Sequence, residues 1–234
     1  SNAYFNGMDA AYVIKAAAEA DSRSTITTAV VRDVIWLYLQ KQLSNRVGTD
    51  YAQPAGRITL KVPAFSDVAA GTYYAEPVAW AAEKKIVEAE GGKVAPEADC
   101  SRAEVVSFLW KAAGSPEPET SVNPFSDVSA DNAAYKAILW AAEKKIAGGY
   151  NGKFNPDRTV NRAEALTFLY RAAGSPTAAS KAGFTDVVSG SFYENAVNWA
   201  AAEKVAGGIG SGLFAPTRTC NRAEILTFIY RFYN

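Results

Sequence analysis

Three arginines stand where a helix should begin. Arg102, Arg162 and Arg222 each open the tripeptide Arg-Ala-Glu, directly after Ser101, Asn161 or Asn221. Ser or Asn followed three residues later by Glu (Glu104, Glu164, Glu224) is the capping-box arrangement, so each arginine takes the first helical position. A cation there opposes the helix dipole and costs a few tenths of a kcal/mol up to about 1. A mildly unfavourable feature that occurs three times suggests a task. One is anion reception, with a guanidinium beside the N–H groups of a helix start. The other is structural: each arginine pairs with a nearby carboxylate, Asp67, Asp127 or Asp186, and fixes a loop.

Other residues with recognition chemistry keep the same beat. Trp80, Trp140 and Trp199 could stack on a sugar ring, or equally fill a core. Gly148, Gly149, Gly207 and Gly208 permit positive φ and close backbone approach, which makes a tight turn or bares N–H groups to a ligand. Catalytic chemistry is poorly served. Histidine is absent from all 234 residues, which removes the commonest general base and transition-metal ligand. A glycosidase needs only two carboxylates, and Asp67, Asp127 or Glu194 could be nominated, but no pair stands out. The Asp spacing is not that of an EF-hand, so we expect no enzyme, no metal site and no cofactor.

The elements that position these residues repeat with a period of about 60. Phe65-Ser66-Asp67-Val68 returns as Phe125-Ser126-Asp127-Val128 and Phe184-Thr185-Asp186-Val187. Between the Trp-Ala-Ala and Arg-Ala-Glu landmarks, the third copy has one extra residue in its glycine loop, where length changes are tolerated. The first helical pattern of each copy is short, as in Val78, Ala82 and Ile86 or Ile138, Ala142 and Ile146. The second is stronger: Val106, Leu109, Trp110 and Ala113, matched by Leu166, Leu169, Tyr170 and Ala173 and by Leu226, Ile229, Tyr230 and Tyr233. Gly114-Ser115-Pro116 and Gly174-Ser175-Pro176 stop two of these helices. Cys100, Val160 and Cys220 precede the caps and can pack on Val105, Ala165 and Ile225 as hydrophobic staples, which favours two buried thiols over a disulfide.

Composition limits the partners. Lys plus Arg and Asp plus Glu number 24 each, so no overall charge draws the molecule to nucleic acid or membrane, and ionic recognition must be local. No window reaches the roughly 18 apolar residues of a membrane span; the densest run, Val30 to Leu39, is broken by Arg32 and Asp33.

The order Phe-x-Asp-Val, Trp-Ala, a Gly-Gly loop ending in Phe-x-Pro, then Arg-Ala-Glu opening a long helix resembles the S-layer homology (SLH) family over about Phe65 to Tyr233. The resemblance implies a mainly α fold of three tandem helix-loop-helix repeats around a pseudo-threefold axis, first helices forming the central bundle and grooves lying between repeats. A single two-helix unit cannot bury both apolar faces alone, which agrees. It also implies a non-catalytic, monomeric module of a larger surface protein, placed in the cell wall or surface layer. Its partner would be an anionic, pyruvylated secondary cell-wall polymer. The arginine of the family's Thr-Arg-Ala-Glu motif is associated with polymer recognition, and Ser101, Asn161 or Asn221 stands here for its Thr. The candidate polymer-binding set is thus Arg102, Arg162, Arg222, Asp67, Asp127, Asp186, Trp80, Trp140, Trp199, Gly148, Gly149, Gly207 and Gly208. The alternative is a structural spacer or self-assembly module whose polymer sites have decayed.

The copies are unequal. Val87-Glu88-Ala89-Glu90 stands in copy one where the others have Ala-Gly-Gly, and Val94 where they have Phe, so its groove is expected to be weak or dead. Repeats are assigned to 64–116, 124–176 and 183–234. Residues 4–63 lack the landmarks and read as an N-terminal helical appendage, and 1–3 read as the scar of a removed purification tag.

Overall fold

A computed structural model describes residues 65–69 and 71–234. The appendage assigned to residues 4–63 lies outside the described residues. Six helices follow: α1 Ala75–Glu83, α2 Arg102–Ala112, α3 Tyr135–Glu143, α4 Arg162–Ala172, α5 Glu194–Ala202 and α6 Arg222–Tyr233. Among the described residues the only β pairing is isolated bridges.

The three long helices start as their sequences ask. The side chains of Ser101, Asn161 and Asn221 accept from the N–H of Glu104, Glu164 and Glu224 (3.2, 2.8 and 3.0 Å), and each glutamate accepts in return from the cap N–H. The short helices have no side-chain cap; they are set by their ends. Lys85, Lys145 and Lys204 adopt left-handed φ of 57°, 57° and 58°. Each donates to the third carbonyl back, and the next residue, Ile86, Ile146 or Val205, donates to Ala81, Ala141 or Ala200 (2.7, 2.8 and 2.8 Å). This is a Schellman ending with lysine in glycine's usual place.

Packing reverses one expectation. The second helices α2, α4 and α6 touch one another at the centre, while α1, α3 and α5 lie outside them. The wider apolar set decides this: Val105, Val106, Phe108 and Leu109 of α2 are all buried, whereas α1 buries Pro77, Val78 and Ala81. Each outer helix rests on the second helix of the preceding repeat, α3 on α2 and α5 on α4, and α1 closes the ring on α6.

The chain crosses the axis just before each long helix. There Cys100 N–H donates to Cys220 O, Val160 N–H to Cys100 O and Cys220 N–H to Val160 O, all at 3.0 Å. Both cysteines are fully buried free thiols, and burial pushes both thiol pKa values up, that of Cys220 to about 12. Equivalent positions of a threefold ring are neighbours at its axis, so the two thiols share one buried environment.

Candidate functional site: the inter-repeat junctions

Each long helix drives its N-terminus into the loop of the following repeat. The first two free N–H groups of α2, those of Arg102 and Ala103, donate to Arg158 O and Pro156 O (both 2.9 Å); α4 does the same with Arg218 O and Pro216 O, and α6 with Ala98 O and Pro96 O. The third N–H belongs to the cap. The backbone donors expected to receive an anion are therefore already engaged.

The arginine side chains follow the same route. At junction I, Arg102 Nε donates to Phe154 O (2.9 Å) and Nη2 to Gly148 O (2.6 Å), with Nη1 3.6 Å from Glu164. At junction II, Arg162 donates to Phe214 O (3.1 Å), Gly207 O (3.1 Å) and Glu224 (2.5 Å). Both guanidiniums lie between two phenyl rings: Phe154 and Phe168 at 4.7 and 5.2 Å, Phe214 and Phe228 at 4.8 and 5.4 Å. Arg102 is 7% exposed and Arg162 3%. At junction III, Arg222 bonds Glu104 through Nε and Nη2 (2.9 and 2.6 Å) and Val94 O (2.8 Å).

The arginines thus pair with the capping-box glutamate of the next repeat, not with the aspartates. Asp67, Asp127 and Asp186 clamp their own loops, accepting from the N–H of Val94 and Ala95, Phe154 and Asn155, and Phe214 and Ala215 at 2.7–3.1 Å. Desolvation would raise each carboxyl, but the backbone donors outweigh it and hold all three below the ordinary range.

Of the tryptophans, Trp140 and Trp199 are buried, Trp199 against Tyr170 and Phe232, while Trp80 is half-buried against Tyr230 and Tyr233. The four glycines sit at the junctions but none has positive φ. Gly148 and Gly207 are open and offer carbonyls to arginine; Gly149 and Gly208 have no room for a Cβ, which would stand 2.6 and 2.7 Å from Phe125 Cε1 and Phe184 Cε1.

Two side chains absent from the candidate set complete junctions I and II. Arg158 bonds both carboxylate oxygens of Glu164, and Arg218 bonds Glu224, with side chains still 49% and 44% exposed. The Glu164 carboxyl, which burial would raise, is held low chiefly by Arg158, while burial and then the Arg158 charge lower the Arg102 pKa. Each of these junctions therefore sets two arginines on one glutamate, with the loop aspartate, Asp127 or Asp186, close enough to act on the inner arginine, and the same loop carries an exposed side chain, Tyr150 or Ile209. Ala98 stands where Arg158 and Arg218 do, so at junction III Arg222 alone meets Glu104, and of the two glutamates that the loop adds Glu88 pairs with Lys111 at 3.3 Å. A comparison of Ala98 with Arg158 and Arg218 across the copies was the available signal.

The first repeat also reaches across. The Tyr73 phenol is pushed up to about 12 by burial, then by Glu224 and Glu97, so it lies in the field of junction II although the residue as a whole is 56% exposed. Among the described residues no cluster suits a metal ion, and no helix is long and apolar enough to cross a membrane.

A closed ring of three helical pairs, each plugged by charge into the next, defines a threefold repeat module built on junctions. The chain belongs to the S-layer homology domain family, whose repeats match residues 64–106, 124–166 and 183–226. It is similar to a surface layer protein of Brevibacillus choshinensis, 37% identical over 90 residues, covering 37% of this chain and 8% of that protein. It is also similar to cell surface glycoprotein 1 of Acetivibrio thermocellus, 30% identical over 154 residues, 60% of this chain and 7% of that one. A cellulosome-anchoring protein of the same organism is 34% identical over 85 residues, 35% of this chain and 19% of that protein. The matched part is under a tenth of the length of the two larger relatives. Membership places the chain outside the cell, in the cell wall or surface layer.

Proposed function

We propose that this module is a non-catalytic anchor that fastens a larger surface protein to an anionic, pyruvylated secondary cell-wall polymer through junctions I and II. The observation that carries the reading is the half-exposed arginine at each: Arg158 or Arg218 shares its glutamate with a buried arginine and keeps guanidinium surface open to solvent. A ligand carboxylate can take the outward guanidinium N–H groups in the planar geometry arginine offers. Arg102 and Arg162 hold the loop carbonyls in place behind it; Arg222, facing an acidic loop, serves closure of the ring. Asp67, Asp127, Asp186 and the four glycines shape the loops, and the tryptophans support the helices beneath. Family membership and a relative named for anchoring support the same reading.

The spacer reading also has an observation in its favour, since Arg102, Arg162 and Arg222 each bond a neighbouring repeat. Sedimentation with purified sacculi of the source bacterium separates the two. Wild-type protein is expected to pellet at low salt and to be released as salt screens the contact. The double variant Arg158→Ala/Arg218→Ala should bind about tenfold more weakly, the loss of one charge-assisted hydrogen bond. Equal pelleting of a folded double variant overturns the assignment of these arginines. A folded wild type that never pellets leaves the spacer. Mild acid removal of ketal-linked pyruvate from the sacculi should reproduce the effect of the double variant.

A further inference from the structure

One asparagine of the chain is placed to react with its own backbone. Asn-Gly occurs at Asn6-Gly7, outside the described residues, and at Asn151-Gly152. Asn151 and Gly152 form the tip of the loop of repeat two, with φ of 50° and 71°. Tyr150 N–H donates to Lys153 O (2.9 Å) and Lys153 N–H to Tyr150 O (3.0 Å), which closes a two-residue turn of the kind that takes Asn-Gly readily. Both tip residues are exposed, and among the described residues neither the Asn151 side chain nor the Gly152 N–H has a hydrogen-bond partner.

Elsewhere the amide is engaged or the next residue cannot attack it. Asn161 and Asn221 cap helices, and Asn132 accepts from Ala134 N–H. Asn123 and Asn155 precede proline, which has no N–H. The other copies supply a control. Gly91 and Ser211 stand where Asn151 does, with φ of 59° and 51°, and are followed by Gly92 and Gly212 at 78° and 71°. One turn geometry is built from three residue types, so the turn itself does not require asparagine.

We propose that Asn151 is a site of spontaneous deamidation, which makes junction I the junction that changes with age. The Gly152 nitrogen loses its proton and attacks Asn151 Cγ. A C–N bond closes a five-membered succinimide as the Cγ–Nδ2 bond breaks, and ammonia leaves with the proton. Water then opens the ring at either carbonyl to give aspartate or isoaspartate. The sum is amide plus water to carboxylic acid plus ammonia, with no oxidant and no cofactor. Glycine leaves the attacking nitrogen unshielded, and an exposed tip is where local opening is easiest.

The isoaspartate product carries the main chain through Cβ and so lengthens the turn. Arg102 grips this loop at both ends, through Gly148 O (2.6 Å) and Phe154 O (2.9 Å), while Gly152 O accepts from Ser126 N–H at 2.8 Å. The extra atom must be taken up by the turn bonds or by that grip. Either product also adds a negative charge to the loop, whereas the loop of junction II, with Ser211, is spared.

The test incubates the whole folded chain in warm, mildly alkaline buffer and maps its tryptic peptides by mass spectrometry. The peptide from Ile146 to Lys153 should gain the mass difference between an amide and an acid, faster as pH rises, and become a substrate for isoaspartyl methyltransferase. Asn151→Ser and Asn151→Gly, which copy repeats three and one, should abolish the gain. Asn151→Asp, which adds the charge without the extra backbone atom, should melt close to wild type, and the isoaspartate form should melt lower. For binding, which rests on the junction reading above, aged wild type should pellet with sacculi severalfold less than aged Asn151→Ser. The peptide map does not depend on that reading, so a failure of either is seen separately. A peptide that keeps its mass in the folded chain while converting in the denatured one, or a gain in this peptide that persists in Asn151→Ser, overturns the proposal.

Discussion

Junctions I and II differ from junction III by a handful of side chains, yet the three share one backbone plan. All three helix starts donate to the next loop, and all three arginines reach across. At I and II the guanidinium is buried between phenyl rings, and a second arginine is left half outside. At III the aromatic becomes Val94, the second arginine becomes Ala98, and Arg222 stays 30% exposed. Closing the ring thus needs only the inner contact; what two of the junctions add is a second arginine that stays half outside.

The inner arginines should differ most in what their loss costs. Arg162→Ala leaves two carbonyls without their buried donor, while Glu224 keeps Arg218, and should cost about 2–4 kcal/mol. Arg222→Ala, partly solvated, should cost about 1 kcal/mol. Chemical denaturation of both variants checks this; equal losses would mean that the three junctions are energetically alike.

Next in size is the glycine of the loop. A Cβ on Gly149 would meet Lys153 O and stand 2.6 Å from Phe125 Cε1, so Gly149→Ala should destabilise by about 1–3 kcal/mol. Copy one already carries Ala89 at this place, with Val94 where copy two has Phe154. Adding Phe154→Val to Gly149→Ala frees the far side of Phe125, which packs on Phe154 at 5.2 Å, and should recover part of the loss. Thermal unfolding of the single and double variants reads the coupling.

Much of this plan was legible in the sequence. The period, the capping boxes and the apolar faces gave six helices in three pairs, because caps and periodicity are local properties. Which pattern lies at the centre was not legible, since both are amphipathic and only the relative width of the buried stripe decides. Nor was the reach of each arginine into the following repeat. Arg102 and Arg162 are followed by the same Ala-Glu pair, so a motif repeated three times does not say whether it meets its own loop or its neighbour's. For that reason the loop of copy one weakens the junction of Arg222, not that of Arg102. The engaged helix N–H groups were hidden likewise, because their partners are backbone carbonyls, which leave no mark in residue types.

Junction III can be given the side chains of the other two. Ala98→Arg with Glu88→Gly gives copy one the residues of copy two at both positions and should raise affinity for sacculi severalfold, about 1 kcal/mol. An unchanged sedimentation curve would mean that Val94 or Glu90 also matters.

Acid acts on what the copies share. Asp67, Asp127 and Asp186 are held low by the backbone N–H groups they accept from, so the unfolded chain binds more protons. Their contribution is full above about pH 4, the unfolded value, and is lost as pH falls through the lower folded values. Melting temperature should drop below that point, and Asp127→Asn should flatten the fall while lowering stability at neutral pH.

The smallest expected effect tests how equal the scaffold is where no junction intervenes. Lys85, Lys145 and Lys204 hold left-handed φ at the ends of α1, α3 and α5, a conformation that an L side chain resists and glycine accepts. Lys144 carries the ion pairs with Glu119 and Glu143, whereas Lys145 makes none among the described residues, so Lys145→Gly removes strain and little else. It should stabilise by about 0.5–1 kcal/mol, with Lys85→Gly and Lys204→Gly equal within error. Three equal gains beside unequal losses at Arg162 and Arg222 would locate the asymmetry of the molecule in the junctions. Unequal gains would place part of it in the helix ends, and junction III would then be one symptom of a more divergent first repeat.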